Sequence, residues 1–266
     1  MDHAGGMVDF AKKFFFGSLS KAAAVYQPRS PWGPFAALAV AVSIFAACTF
    51  LMPLCIYAAS SDFYLALSGR SRSPMLFQQS ASPILQGLQQ SAVAGLVILV
   101  SGMRGGTKSE VLSLRPTGIL SSLTFAGLAF LAMVPIYFLI SATISTYTLI
   151  TDDFSPKAWL KPSWPWINLV TSIIGAPISE EMLFRGFLLS ALANSRLGFW
   201  PAAVASDLAW TLMHVLWAWP TLLSHFTFGL LLSLLISRTG SLWPCVIAHS
   251  INNTVPALFQ LIYARS

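Results

Sequence analysis

Charged side chains are scarce in this sequence, at 9% of 266 residues, where an ordinary soluble domain carries about 25%. With 56% of the chain hydrophobic, a surface that meets water on every side is excluded. Cysteine is scarce as well. Cys48, Cys55 and Cys245 lie in apolar runs with no Cys-x-x-Cys pair, which excludes a disulfide framework and a thiolate metal site and leaves buried packing as their role. No stretch reads as a cleaved leader, because the apolar patch Phe14 to Phe16 is short and gives way to polar sequence. Internal repeats and low-complexity tracts are also missing. The net charge of +6 is scattered over loops and ends. Without Lys/Arg blocks alternating with aromatics it makes no nucleic-acid surface.

What is present is long uncharged sequence. The runs Phe35 to Ala59 and Pro116 to Thr151 exceed the ~20 apolar residues that cross a bilayer as a helix. The expected fold class is all-α: a polytopic transmembrane helical bundle of about seven spans with a polar intramembrane cavity. An N-terminal region, 33–163, holds spans at 35–59, 83–103 and 118–142, with Pro53 as a kink in the first and Gln86, Gln89 and Gln90 weakening the second. Asp152, Asp153, Lys157, Lys161, Pro156, Pro162 and Pro165 mark the loop that follows. A second region, 164–266, holds spans at 166–193, 201–219, 221–237 and 242–263, with Pro201 in a first turn, Pro220 as a stop and Pro244 as a start. Residues 1–32, with Lys12, Lys13, Lys21 and Arg29 around an aromatic cluster, read either as a basic amphipathic segment on an anionic leaflet or as a disordered tail.

Counting Lys and Arg in alternate loops gives nine on the side of the N-terminus and five on the other, which favours a cytoplasmic N-terminus. A chain without organelle-targeting or retention signals is expected in a bacterial cytoplasmic membrane.

Glu180, Glu181 and Asp207 are the acids that fall inside expected spans. Each costs several kcal/mol in hydrocarbon unless paired, protonated or hydrated, so each marks a functional site by default. On a helix, Glu181 and Arg185 are about 40° apart and can pair along one face, whereas Glu180 turns about 100° from Glu181 and about 140° from Arg185. The spacing therefore predicts a structural Glu181–Arg185 pair and a Glu180 carboxylate presented to a cavity. His249 and Asn253, four apart, share a face of the last span, and His214 adds an imidazole from another. Together these groups supply a base for water and donors for a tetrahedral oxyanion. Two His and a carboxylate, His214, His249 and Glu180, equally suit a Zn²⁺ ion with an open water position, although no His-Glu-x-x-His motif occurs. Asp207 is two turns, about 10.5 Å, from His214 along the same helix and cannot pair with it there. It is expected to line the cavity entry or to hydrate at a helix end. His225 reads as an interfacial or packing residue.

The segment Glu180-Glu181-Met182-Leu183-Phe184-Arg185 resembles the EExxxR motif of the CPBP family, the CAAX prenyl endopeptidases and bacteriocin-processing intramembrane proteases. Trp210 to His214 is similar to its FxxxH motif, with Trp for Phe, and His249 to Asn253 to its HxxxN motif. All three fall in the family's order within about residues 165 to 255. The resemblance implies a membrane protease in which Glu180 activates a water, His214, His249 and Asn253 complete the site, and Glu181, Arg185 and Trp210 support it. Whether the family's chemistry here takes a metal or a metal-free water stays open at this level.

The function expected is hydrolysis of a peptide bond in a membrane-associated peptide or protein at the bilayer. Two other classes compete: a non-proteolytic scaffold of the same fold, and a proton-coupled transporter using buried Glu and His as a relay. The transporter lacks the duplicated architecture usual for its class. No nucleic-acid partner is expected.

Overall fold

The computed structural model describes residues 26–61, 63, 83–148, 165–214 and 219–263. The basic and aromatic cluster within 1–25, most of the loop around Asp152 to Pro162, and Asp62, Arg70, Arg72 and Arg265 lie outside the described residues. The described residues are helical, without strands.

Helix α1 spans Pro34–Ala59. Its middle, Ala47–Leu51, widens into a π turn just ahead of Pro53. A proline inside a helix removes a hydrogen bond and collides with the carbonyl four residues back, and the π turn absorbs that misfit. Helix α2 is Pro83–Ser101, α3 the single turn Lys108–Val111, and α4 Ile119–Thr148 with Pro135 inside it. Helix α5 runs continuously over 165–193 and contains two π segments, Thr171–Gly175 and Met182–Leu188. The first precedes Pro177, as in α1. Helices α6, Phe199–Leu212, α7, Trp219–Thr239, and α8, Trp243–Tyr263, complete the fold. Gly240, with φ of 64°, makes the tight turn from α7 to α8 in a conformation that side chains with a Cβ disfavour.

Among the described residues α1, α2 and α4 to α8 overlap the stretches read as spans, and the chain is an integral membrane helical bundle. Among the described residues four stretches meet a simple length and hydropathy standard for crossing: Pro34–Ala59, Pro83–Ser101, Ile119–Leu139 and Leu222–Thr239. The others, α5, α6 and α8, are the helices that carry Glu180, Asp207 and His249. One boundary differs materially. Instead of running to 219, α6 stops at Leu212, and Met213 and His214 form a closing turn with N–H bonds to the Trp210 and Thr211 carbonyls at 3.1 and 2.9 Å. At 1.5 Å per residue this helix is about 21 Å long, short of a hydrocarbon layer of about 30 Å.

Helix α5 is the axis of the bundle. Every residue from 181 to 193 is buried, with Glu181 and Arg185 paired inside the bundle. It packs on α1, α2, α6 and α8, while α4 covers α7 and α8. Small buried residues, among them Ala37, Ala41, Ala202, Ala203 and Ala248, let the helix backbones close together, the way membrane helices gain packing without a hydrophobic drive between them. Phe35, Leu54, Leu120 and Phe138 are exposed, as a lipid-facing surface requires.

A strap precedes α1. Tyr26 is buried with its ring edge on Phe199 at 5.4 Å between centroids. The Arg29 amide donates to Ser190 Oγ at 3.3 Å, and Asn194 Nδ2 donates to the Ser30 carbonyl at 2.9 Å. Arg29 also pairs with Glu110. The described part of 1–32 is therefore bound across the ends of α5 and α6. Burial raises the Tyr26 phenol above its usual range.

Candidate active site

Glu180 and Glu181 sit where the α-helical turn Ala176–Glu181 meets the π segment Met182–Leu188. Such wide turns are common at functional sites, and here the turn sends neighbouring carboxylates to different partners. Glu181 accepts from Arg185 NH1 at 3.1 Å and bonds His249 Nδ1 at 2.9 Å, both through Oε1. Glu180 accepts at Oε2 from the Trp210 indole N–H at 2.6 Å. The separation expected from helix angles is thus what the fold displays.

Trp210 is the point of convergence. Its ring lies 5.5 Å from the His214 ring, 5.6 Å from His249 and 5.5 Å from His225, centroid to centroid. The Arg185 guanidinium stands 4.4 Å over its face, a cation–π contact. Glu180, His214 and His249 from three segments are therefore gathered about one buried indole. His214 and His225 stack at 4.5 Å, so His225, expected at an interface or in packing, belongs to this aromatic group.

Hydrogen-bond partners fix the ring tautomers. The Trp210 carbonyl can only accept, so His214 donates to it from Nδ1 at 3.1 Å. An ionised Glu181 likewise only accepts, so His249 presents Nδ1–H to it and has Nε2 left without a partner among the described residues. Glu180 Oε1 has none there either. Asn253 donates from Nδ2 to the Ser172 carbonyl at 3.0 Å, a carbonyl in the first π segment of α5, and its neighbour Asn252 accepts from Tyr137.

Asp207 neither lines an entry nor hydrates at a helix end. It is wholly buried and accepts from Arg185 NH2 at 3.0 Å and from Ser233 Oγ at 3.1 Å. Its partners are on α5 and α7, beyond the reach of reasoning about a single helix. A buried acid without a partner in its own helix was the available signal. Gly229 makes room for the pair: a Cβ there would stand 2.8 Å from Arg185 NH2 and 3.1 Å from the Asp207 carboxyl carbon.

His214, His249 and Glu180 each hold one partner through one atom: the Trp210 carbonyl, Glu181 and the Trp210 indole. Among the described residues no three His, Cys, Asp or Glu side chains gather as a metal-holding set.

A family described as type II CAAX prenyl endopeptidase Rce1-like matches residues 162–255. The Bacillus subtilis (strain 168) protein named "Putative membrane peptidase YdiL" is 31% identical over 102 residues, which is 38% of this chain and 40% of the relative. The chain thus spans about two-fifths of the length of that curated relative. No solved structure matches. The matched stretch contains Glu180, Glu181, Arg185, Trp210, His214, His249 and Asn253 on α5, α6 and its closing turn, and α8. Residues 162–255 of this chain are thus similar to the Rce1-like CAAX endopeptidases, and part of the chain is similar to a protein named as a membrane peptidase.

Proposed function

We propose that the protein is an intramembrane endopeptidase that hydrolyses a peptide bond of a membrane-associated peptide or protein. The observation that supports it best is the gathering of Glu180, His214 and His249 about Trp210. The indole N–H holds one oxygen of Glu180 and leaves Oε1 for a water. Glu180 takes a proton from that water as the oxygen attacks the scissile carbonyl carbon. The carbonyl becomes a tetrahedral oxyanion, and the same carboxyl then returns the proton to the leaving amine as the C–N bond breaks. His249, steadied at Nδ1 by Glu181, supplies Nε2–H to the oxyanion when the ring is protonated. Asn253 adds an N–H beside that bound to Ser172, and His214 completes the polar wall. The setting is a bacterial cytoplasmic membrane with the N-terminus inside, the orientation that the nine-to-five distribution of Lys and Arg supports.

The test is cleavage of reconstituted transmembrane and prenylated peptides, followed by mass spectrometry of products, with wild type and Glu180→Ala in liposomes. A general base contributes about 10²- to 10⁴-fold, so Glu180→Ala should lose at least the lower figure. Equal rates in the two proteins would remove Glu180 as the base.

A further inference from the structure

The CPBP-like motifs leave Asp207 without a role, yet its bonds join it to the proposed machinery. We propose that Asp207 is a positioning residue for His249, acting through Arg185 and Glu181. The inference rests on the protease reading above and adds a residue to it.

The connection is continuous. Asp207 Oδ1 holds Arg185 NH2 at 3.0 Å, Arg185 NH1 holds Glu181 Oε1 at 3.1 Å, and the same oxygen holds His249 Nδ1 at 2.9 Å. All three charged side chains are fully buried, so no water competes for these bonds. Arg185 is planar and offers a rigid fork. With both tines engaged its plane is fixed, and so is the oxygen on which His249 rests. With one tine released, the guanidinium turns about the remaining bond and Glu181 follows. Two features show that the second tine is a made position. Ser233 Oγ bonds Asp207 from α7, and Gly229, one turn before it, leaves a gap that a Cβ would close.

The charges around His249 have been placed by the same bonds. Helix α5 supplies Glu180, Glu181 and Arg185, α6 supplies Asp207 and Trp210, and α7 supplies Phe228 and His225. Of these, Glu181 is the one bonded to the His249 ring. The orientation of His249 therefore depends on what orients Glu181.

Two measurements on Asp207→Asn, in liposomes and below its unfolding temperature, test this. Steady-state kinetics on a cleaved reporter peptide should show kcat lowered about 10- to 100-fold, the size of a lost charge-assisted hydrogen bond, with KM within about twofold. Proton NMR of ¹⁵N-histidine-labelled protein, without substrate, should show the His249 Nδ1–H resonance to Glu181, assigned by its absence in His249→Gln. In Asp207→Asn it should broaden or vanish. An unaltered resonance or an unaltered kcat overturns the proposal. Should Asp207→Asn not fold, Ser233→Ala keeps the ion pair while removing the hydroxyl, and a smaller change in the same two readings is expected; none would overturn it equally. The resonance is read without peptide, so a loss of the protease reading, through an active Glu180→Ala, is distinguishable from a failure of the positioning chain.

Discussion

Replacing Arg185 by Met tests the electrostatic centre of the fold. Arg185 is the cation between Glu181 at 3.1 Å and Asp207 at 3.0 Å, with no exposure on any of the three side chains. Breaking one buried pair costs about 3–5 kcal/mol, because it leaves a charge with neither water nor partner. Here one residue serves two pairs, and Met fills most of its volume, so the loss is electrostatic rather than a cavity. The upper limit is set by proton uptake, since a stranded buried carboxyl neutralises itself. A loss of about 3–5 kcal/mol corresponds to a fall of roughly 6–20 °C in Tm for a chain of this size. The assay is thermal unfolding in detergent micelles, run as a cycle with Asp207→Asn and the double variant. Neutralising Asp207 first should make the Arg185→Met step milder by at least about 1.5 kcal/mol, within the range for residues in one network. Additivity within about 0.5 kcal/mol would refute the reasoning, as would a Tm for Arg185→Met equal to wild type.

Trp210→Phe keeps the aromatic wall and deletes the indole N–H on Glu180. A bond to a charged group is worth about 1.5–3 kcal/mol, so kcat/KM should drop about 10- to 100-fold in the peptide assay, with a rate equal to wild type as the contrary result. On the proposed mechanism, in which Glu180 activates the water, exhaustive chelation should leave cleavage intact; loss restored by Zn²⁺ would contradict this. Glu110 is held below the usual carboxylate range by the Thr107 hydroxyl and then by Arg29. A depressed carboxyl stabilises above its unfolded pKa and ceases to do so as pH falls through its folded value. The strap should therefore become more open to limited proteolysis only below the ordinary carboxylate range of about pH 4, and Glu110→Gln should remove that pH dependence.

Apolar run length made most helices legible, because a membrane-spanning segment must satisfy its backbone internally and writes that need as uninterrupted sequence. Helix α6 shows the limit. His214 to Trp219 is apolar enough to extend a span and has no proline before Pro220, so the stop at Leu212 left no local mark. The π segment Met182–Leu188 is equally silent, since its residues suit an α-helix as well. Within one helix the site was readable: an i, i+4 spacing is geometry, and it separated Glu180 from Glu181 and Arg185. Between helices it was not. Nothing along α6 states that Asp207 will meet Arg185 and Ser233, or that His225 of α7 will stack on His214. Those contacts come from how three helices pack, and spacing along any one of them cannot supply it.

Because a single indole bears on Glu180, on three imidazoles and on the guanidinium, these groups share one fixture in addition to their other bonds. A sideways slip of α6 by a fraction of a turn would misalign all of them together. On the protease reading, partial activity is then hard to reach by small deformations, and a compound wedged beside Trp210 would silence cleavage without touching Glu180.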